Sequence, residues 1–216
     1  MKQAWRAGVR TVWSAGLLWL AGLFMAFTAV AADTSNPYRM ANQVAEDTLS
    51  QLQQNRDKLS SPGFREQLID RYLMPYVDVS YAAYKVIGTA LKDTTPQERG
   101  DFTTAFEQYL RRSLTEAMAK YTDQKLVAAK VREVDSGVNI VPVQLGILQN
   151  SGETINIILK MRRNNRTGDW KAFDLIAENV SILDAKSAEL NPIIQQQGIG
   201  AAITALRQNE AQIGKK

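Results

Sequence analysis

Residues 125–177 read KLVAAKVREVDSGVNIVPVQLGILQNSGETINIILKMRRNNRTGDWKAFDLIA, and their texture decides the fold. Four segments rich in Val, Ile and Phe, 126–134, 138–148, 154–163 and 169–177, are separated by Ser136-Gly137, Asn150-Ser151-Gly152 and the run 164–168. Short turns bearing Gly and Asn join neighbouring antiparallel strands, so the stretch predicts a meander. In the third segment Ile155, Ile157, Leu159 and Met161 alternate with Thr154, Asn156 and Lys160. A period of two puts the first set on one face of the sheet and the second on the other. Val141, Val143, Leu145 and Ile147 form the matching stripe of the second segment, where Pro142 marks an edge or a bulge.

Upstream the period changes to that of a helix. Asn36-Pro37 starts one with Pro in its first turn, and Ala41, Val44, Thr48 and Leu52 share a face. Phe64, Leu68, Ile69 and Tyr72 form a second set that Pro75 interrupts, and a short helix from Val77 to Ile87 stops near Gly88. Thr95-Pro96-Gln97-Glu98 is a capping box, opening a long helix to about Tyr121 with Phe102, Phe106, Tyr109, Leu110, Leu114 and Ala117 on one side. After Asn179 the helical pattern returns, with Gly198 as a break. Helices, then strands, then helices predict an α+β protein: a four-stranded antiparallel sheet with helices packed on one face around a hydrophobic pocket.

The chain has 216 residues with neither Cys nor His. That removes disulfides, the usual zinc ligands, Cys and Ser/His/Asp nucleophiles and the common haem ligands. No phosphate loop, Gly-x-Ser-x-Gly elbow or dinucleotide fingerprint follows the N-terminal segment. No catalytic residue, metal or cofactor is expected.

Lys2, Arg6 and Arg10 precede an acid-free apolar run ending in Ala29-Val30-Ala31-Ala32, the pattern of a secretory signal peptide over residues 1–32. An uncleaved anchor is the alternative for a run of this length. Cleavage after Ala31 or Ala32 removes three of 26 bases and no acid, so the formal charge falls from +4 to +1. So small an excess does not predict nucleic-acid binding. The exported part, residues 33–216, is expected to be one domain: helical over about 36–122, sheet over about 125–178, helical again over about 181–210.

Tyr72, Tyr76, Tyr81, Tyr84, Tyr109 and Tyr121 suit the mouth of an apolar cavity, since the ring is greasy and its tip polar, although periodicity alone favours a core with polar-tipped rings at its rim. Asp70, Asp78, Asp93, Asp101, Asp174 and Glu178 are scattered, with no spacing that selects a catalytic pair.

Several segments together resemble the MlaC family of periplasmic phospholipid carriers, also called toluene-tolerance proteins. They are Asn36-Pro37-Tyr38, YLMPYVDVSYAAYKVIG (72–88), TPQERGDFTTAFEQYL (95–110), GDWKAFDLIAENVSIL (168–183) and IIQQQGIGAAITAL (193–206). Asn179, Leu190 and Gly200 depart from the family's usual Gly, aromatic and Asp. The resemblance implies a monomeric, non-enzymatic shuttle in the periplasm. Its ligand is a phospholipid, and its partners are an outer-membrane lipoprotein complex and an inner-membrane ABC transporter assembly that maintain outer-membrane lipid asymmetry. It also implies that Tyr109 and Val180 are pocket-side positions. With the apolar stripes, the expected lipid-binding set is Tyr72, Val77, Tyr81, Phe102, Phe106, Tyr109, Leu110, Val143, Leu145, Ile155, Ile157, Leu159, Met161, Phe173 and Val180. Ile155, Ile157, Leu159 and Met161 are expected as one wall, opposite Phe102, Phe106, Tyr109 and Leu110.

A diacyl lipid carries roughly 30 methylenes, and at about 0.8 kcal/mol each their exposure to water costs on the order of 20 kcal/mol, so a carrier has to hide them. A periplasmic enzyme with a carboxylate in its pocket and a protein-interaction module with a closed core are the rival readings of the same fold.

Overall fold

The computed structural model describes residues 31–213, and for 209–213 the backbone alone. The signal segment expected over 1–32 lies outside the described residues apart from Ala31 and Ala32.

Among the described residues six α-helices and a five-stranded sheet follow in the order α1 (Pro37–Gln54), α2 (Pro62–Tyr72), α3 (Val79–Ile87), α4 (Pro96–Ala119), β1 (Lys125–Val127), β2 (Ile140–Leu148), β3 (Thr154–Arg163), β4 (Trp170–Ala177), β5 (Val180–Ser181), α5 (Ile182–Gln197) and α6 (Ile199–Ile213). Local chemistry sets the helix starts. Asn36 caps α1 by accepting from the Tyr38 and Arg39 N–H groups, with Pro37 in the first turn. Thr95 and Glu98 form both halves of the expected capping box on α4. Gly198, at φ +82°, separates α5 from α6 in a conformation that a Cβ would oppose.

The sheet is an antiparallel meander, β1-β2-β3-β4-β5. Five strands replace the expected four. The first expected strand, 126–134, pairs over three residues only, Val127 opposite Gly146 being the last pair. Continued in register, Val131 would face Pro142, which has no N–H to give the ladder. The segment instead turns to α1: the Asn42 side chain accepts from the Ala129 N–H at 2.8 Å and donates to the Ala129 carbonyl at 3.0 Å. Asn36 Nδ2 donates to the Arg132 carbonyl at 2.9 Å.

The added strand, β5, comes from a two-residue turn. Ala177 pairs with Val180, and the intervening Glu178 and Asn179 have φ of 47° and 65°. Left-handed backbone at both central positions is the turn that suits the twist of a hairpin, and Asn tolerates it.

Three apolar cores result. Val141, Val143, Leu145, Met161 and Trp170 pack with Tyr38, Met40 and Ala41 of α1. A helical core joins α3, α4, α5 and α6 around Phe102, Phe106, Leu190 and Leu206, and β4 contributes Phe173 to it. A third holds Leu52, Leu68, Ile69 and Met118 of α1, α2 and α4 together. Phe173 reaches the helical core through a bulge: Lys160 pairs with Asp174 and Met161 with Ala172, leaving Phe173 as the extra residue.

Candidate functional site

The register confirms the expected stripe. Val141, Val143, Leu145 and Ile147 stand opposite Met161, Leu159, Ile157 and Ile155, so all eight share one face, and Leu175 of β4 continues it opposite Leu159. Burial across this face is uneven. Val141, Val143, Leu145 and Met161 are buried, whereas Ile155, Ile157, Leu159 and Leu175 are half-buried. Helix α1 closes the β2 side and leaves apolar surface on β3 and β4.

The two expected walls do not pack on one another. Val143, Leu145, Ile157, Leu159 and Met161 belong to the core shared with α1, whereas Tyr81, Phe102, Phe106, Tyr109, Leu110 and Phe173 belong to the helical core. Periodicity states which side chains share a face, not which faces meet. Phe102, Phe106, Val143 and Met161 have no exposed surface and serve as packing residues. Tyr72 joins the third core, and Val77 forms a parallel bridge with Ala172. Val180, expected in the lining, stands 62 % exposed beside the β4–β5 turn.

Aromatic contacts tie the expected set together within the helical core. The Tyr81 and Phe173 rings meet edge to face at 5.0 Å, and Phe106 lies 6.0 Å from Tyr109. The Lys186 ammonium sits 4.1 Å from the centroid of Tyr109 and 2.5 Å from Glu189, one turn along α5. Lys186 is a buried cation that its carboxylate and ring partners compensate.

A polar frame that no motif announces fixes how the helices leave the sheet. Asp78 caps α3 by accepting from the Tyr81 N–H at 3.1 Å, and its other oxygen lies 2.7 Å from Arg162 of β3. The Asp78 N–H donates to the Ala172 carbonyl. Asp174 is buried and accepts from the Ser181 hydroxyl at 2.8 Å and the Leu183 N–H at 3.2 Å, with Lys160 at 3.0 Å. The cross-strand pairing of Lys160 with Asp174 is the one part of this frame that strand alternation can anticipate. Asp78 and Asp174 are thus engaged in holding α3 and α5. Among the described residues no cluster of three or more carboxylates offers a metal site, and no helix is long and apolar enough to cross a membrane.

Tyr76 accepts from the Ala32 N–H at 2.8 Å, and the Thr34 carbonyl accepts from the Trp170 N–H at 2.9 Å. Thr34 also donates its hydroxyl to Asp169 at 2.6 Å. That bond, followed by one from Thr167, holds the Asp169 carboxyl below its ordinary pKa.

Known proteins share this architecture. A solved phospholipid-binding protein from Ralstonia solanacearum, in complex with a phospholipid, superposes with a TM-score of 0.74 at 19 % identity, covering 83 % of this chain and 99 % of that one. The likeness establishes the common fold. The intermembrane phospholipid transport system binding protein MlaC of Haemophilus influenzae is 28 % identical over 202 residues, 93 % of this chain and 94 % of the relative. Residues 42–208 match the family model described as MlaC protein, a span running from α1 to α6 that includes the sheet, and the chain therefore belongs to the MlaC family.

Proposed function

We propose that this protein is a periplasmic carrier that binds one phospholipid and shuttles it between membrane complexes without chemical change. The observation that carries the reading is the incompletely covered sheet: Ile155, Ile157, Leu159 and Leu175 keep apolar surface on the face whose β2 side is sealed by α1. Unclosed apolar surface costs about 25 cal/mol for every Å² left in water, and acyl chains laid against it recover that free energy. Tyr72, Tyr81, Tyr109 and Leu110 are half-buried on the neighbouring cores and complete the proposed lining. Val180 stands at the rim, where its exposed side chain meets a lipid entering or leaving.

The relatives named above support the choice of ligand, one being phospholipid-bound and the other a phospholipid transport binding protein. On this reading the protein is a monomer in transit that docks on an outer-membrane lipoprotein complex and an inner-membrane ABC transporter assembly. The carrier supplies no energy; the direction of net transport is imposed by the complexes it meets.

The test is mass spectrometry of organic extracts from protein purified out of its native compartment. Glycerophospholipid in a near-stoichiometric amount is the expected result, and folded protein that is consistently free of lipid overturns the proposal.

A further inference from the structure

The buried side chains of α5 recur about one turn apart as Leu183, Lys186, Leu190 and Ile194, three apolar residues and a cation in one row. A helix row facing a core is ordinarily apolar throughout, and replacing a buried ion pair by well-packed apolar residues is often neutral or stabilising. Packing alone therefore does not account for Lys186, which is 6 % exposed. Its ammonium lies 4.1 Å from the Tyr109 centroid and 2.5 Å from Glu189, whose side chain is 41 % exposed. The cation is held on one side by an aromatic ring of the proposed lining and on the other by a carboxylate that reaches water.

The pairing of ring and cation recurs around that lining. The Arg162 guanidinium lies 4.4 Å from the Tyr81 centroid and that of Arg71 5.7 Å from the Tyr72 centroid, so three tyrosines assigned to the lining each carry a cation. Arg162 is engaged with the α3 cap Asp78 at 2.7 Å, and Arg71 is exposed. Of the three, Lys186 is the one that is buried with its carboxylate partner at the surface. Resting on the carrier reading, we propose that Lys186 selects the ligand by binding the phosphodiester of the lipid, Glu189 giving up the ammonium as the acyl chains settle on the apolar surface.

A phosphodiester is the anionic group that all glycerophospholipids share, and it stands where the apolar chains end. An ammonium at the boundary between greasy lining and water meets it there with a charge-assisted hydrogen bond. The exchange leaves the cation paired and returns Glu189 to water at little cost, because that carboxylate is already part-hydrated. A neutral lipid of the same chains gains no such bond.

The test incubates the full mature chain with vesicles holding equal amounts of phosphatidylglycerol and diacylglycerol of identical acyl chains, then repurifies it and measures the two lipids by mass spectrometry. Wild type is expected to favour phosphatidylglycerol by at least about ten-fold, the worth of one charge-assisted bond. Lys186→Met is expected to bring the ratio toward one, Lys186→Arg to keep it, and Glu189→Gln, which removes the competing carboxylate, to raise it. An unchanged ratio in folded Lys186→Met overturns the proposal; if that variant does not fold, an unchanged or lowered ratio in Glu189→Gln does so. An excess of inorganic phosphate is expected to leave the ratio as it is, and loss of the preference on its addition assigns the site to free phosphate and overturns the lipid assignment. Wild type that takes up neither lipid overturns the carrier reading and the role of Lys186 with it, whereas uptake of both without preference overturns the role of Lys186 alone.

Discussion

The rings of Tyr81 and Phe173 meet edge to face at a centroid distance of 5.0 Å and an interplanar angle of 87°, and this contact joins the first turn of α3 to the bulge in β4. The Arg162 guanidinium lies 4.4 Å from the centroid of the same Tyr81 ring. Helical layer and sheet are therefore coupled through a residue present because of a register shift. Phe173→Ala is expected to destabilise the protein by about 3–5 kcal/mol. A double-mutant cycle with Tyr81→Leu, read by urea unfolding, is expected to return about 1 kcal/mol of coupling. Additive effects would show that the ring pair contributes no more than its buried area.

Asp174 has a side chain 1 % exposed, whereas its partner Lys160 is 37 % exposed. The carboxylate's value therefore lies mainly in its bonds to Ser181 and Leu183, which fix the start of α5. Asp174→Ala is expected to cost about 2 kcal/mol by leaving buried donors unpaired, and Lys160→Met much less. Equal losses in the two variants, measured by chemical denaturation, would assign the stability to the ion pair instead.

A Cβ at Gly146 would lie 2.8 Å from Thr154 Cγ2 and 3.0 Å from Val127 Cβ. Both neighbours are strand residues whose backbone the ladder holds. Gly146→Ala is expected to destabilise by about 1–3 kcal/mol, with part of the loss restored by Thr154→Ser, which deletes the nearer methyl group. Thermal unfolding of the single and double variants checks this.

Val180→Glu changes a side chain that is already 62 % exposed, so folding stability should move by less than about 0.5 kcal/mol. Co-purified lipid is nonetheless expected to fall sharply, because the new charge stands at the proposed rim. Unchanged loading in well-folded protein would remove Val180 from the path of the lipid.

The Glu98 carboxylate accepts from the Thr95 N–H at 2.8 Å and the Thr95 hydroxyl at 2.9 Å, and these bonds, the backbone one foremost, lower its pKa. Asp169 is lowered in the same direction by Thr34. A depressed folded-state pKa contributes stability that is present above the unfolded value and lost as pH falls through the folded one. Lower protection against amide exchange at Thr95 and Trp170, relative to the intrinsic rate at each pH, is therefore expected as the solution is taken below about pH 4, the ordinary carboxylate range. In Glu98→Gln and Thr34→Val the corresponding acid-induced change should be absent. The same acid response in wild type and variants would place its origin elsewhere.

The elements with strong local signals were legible before any fold was known. The capping box at Thr95, the Asn36-Pro37 start of α1 and the alternation in β3 each encode their structure within a few residues. The segment 126–134 was misleading. Its β-rich composition predicts a strand, but Pro142 on a different strand and Asn42 on a distant helix decide that it leaves the sheet. Of the expected lipid-binding residues, the stripe on β2 and β3 was correct as a shared face, and it packs in a different core from Phe102 and Phe106. The pairing of Asp78 with Arg162 and the contact of Lys186 with Tyr109 went unrecognised because these partners lie on different elements, where no spacing rule reaches.

By itself the sequence settled the succession of helices, sheet and helices, the face shared by the apolar residues of β2 and β3, and a resemblance carried by motifs along most of the chain that the family match bears out. Those properties follow from periodicity and capping, which act over one or two turns of backbone. The tertiary structure decided which surfaces close and which stay open: three cores form, and β3 and β4 keep apolar surface uncovered. Closure depends on how long-range contacts share a limited amount of apolar area, and that competition is resolved only when the whole chain has folded.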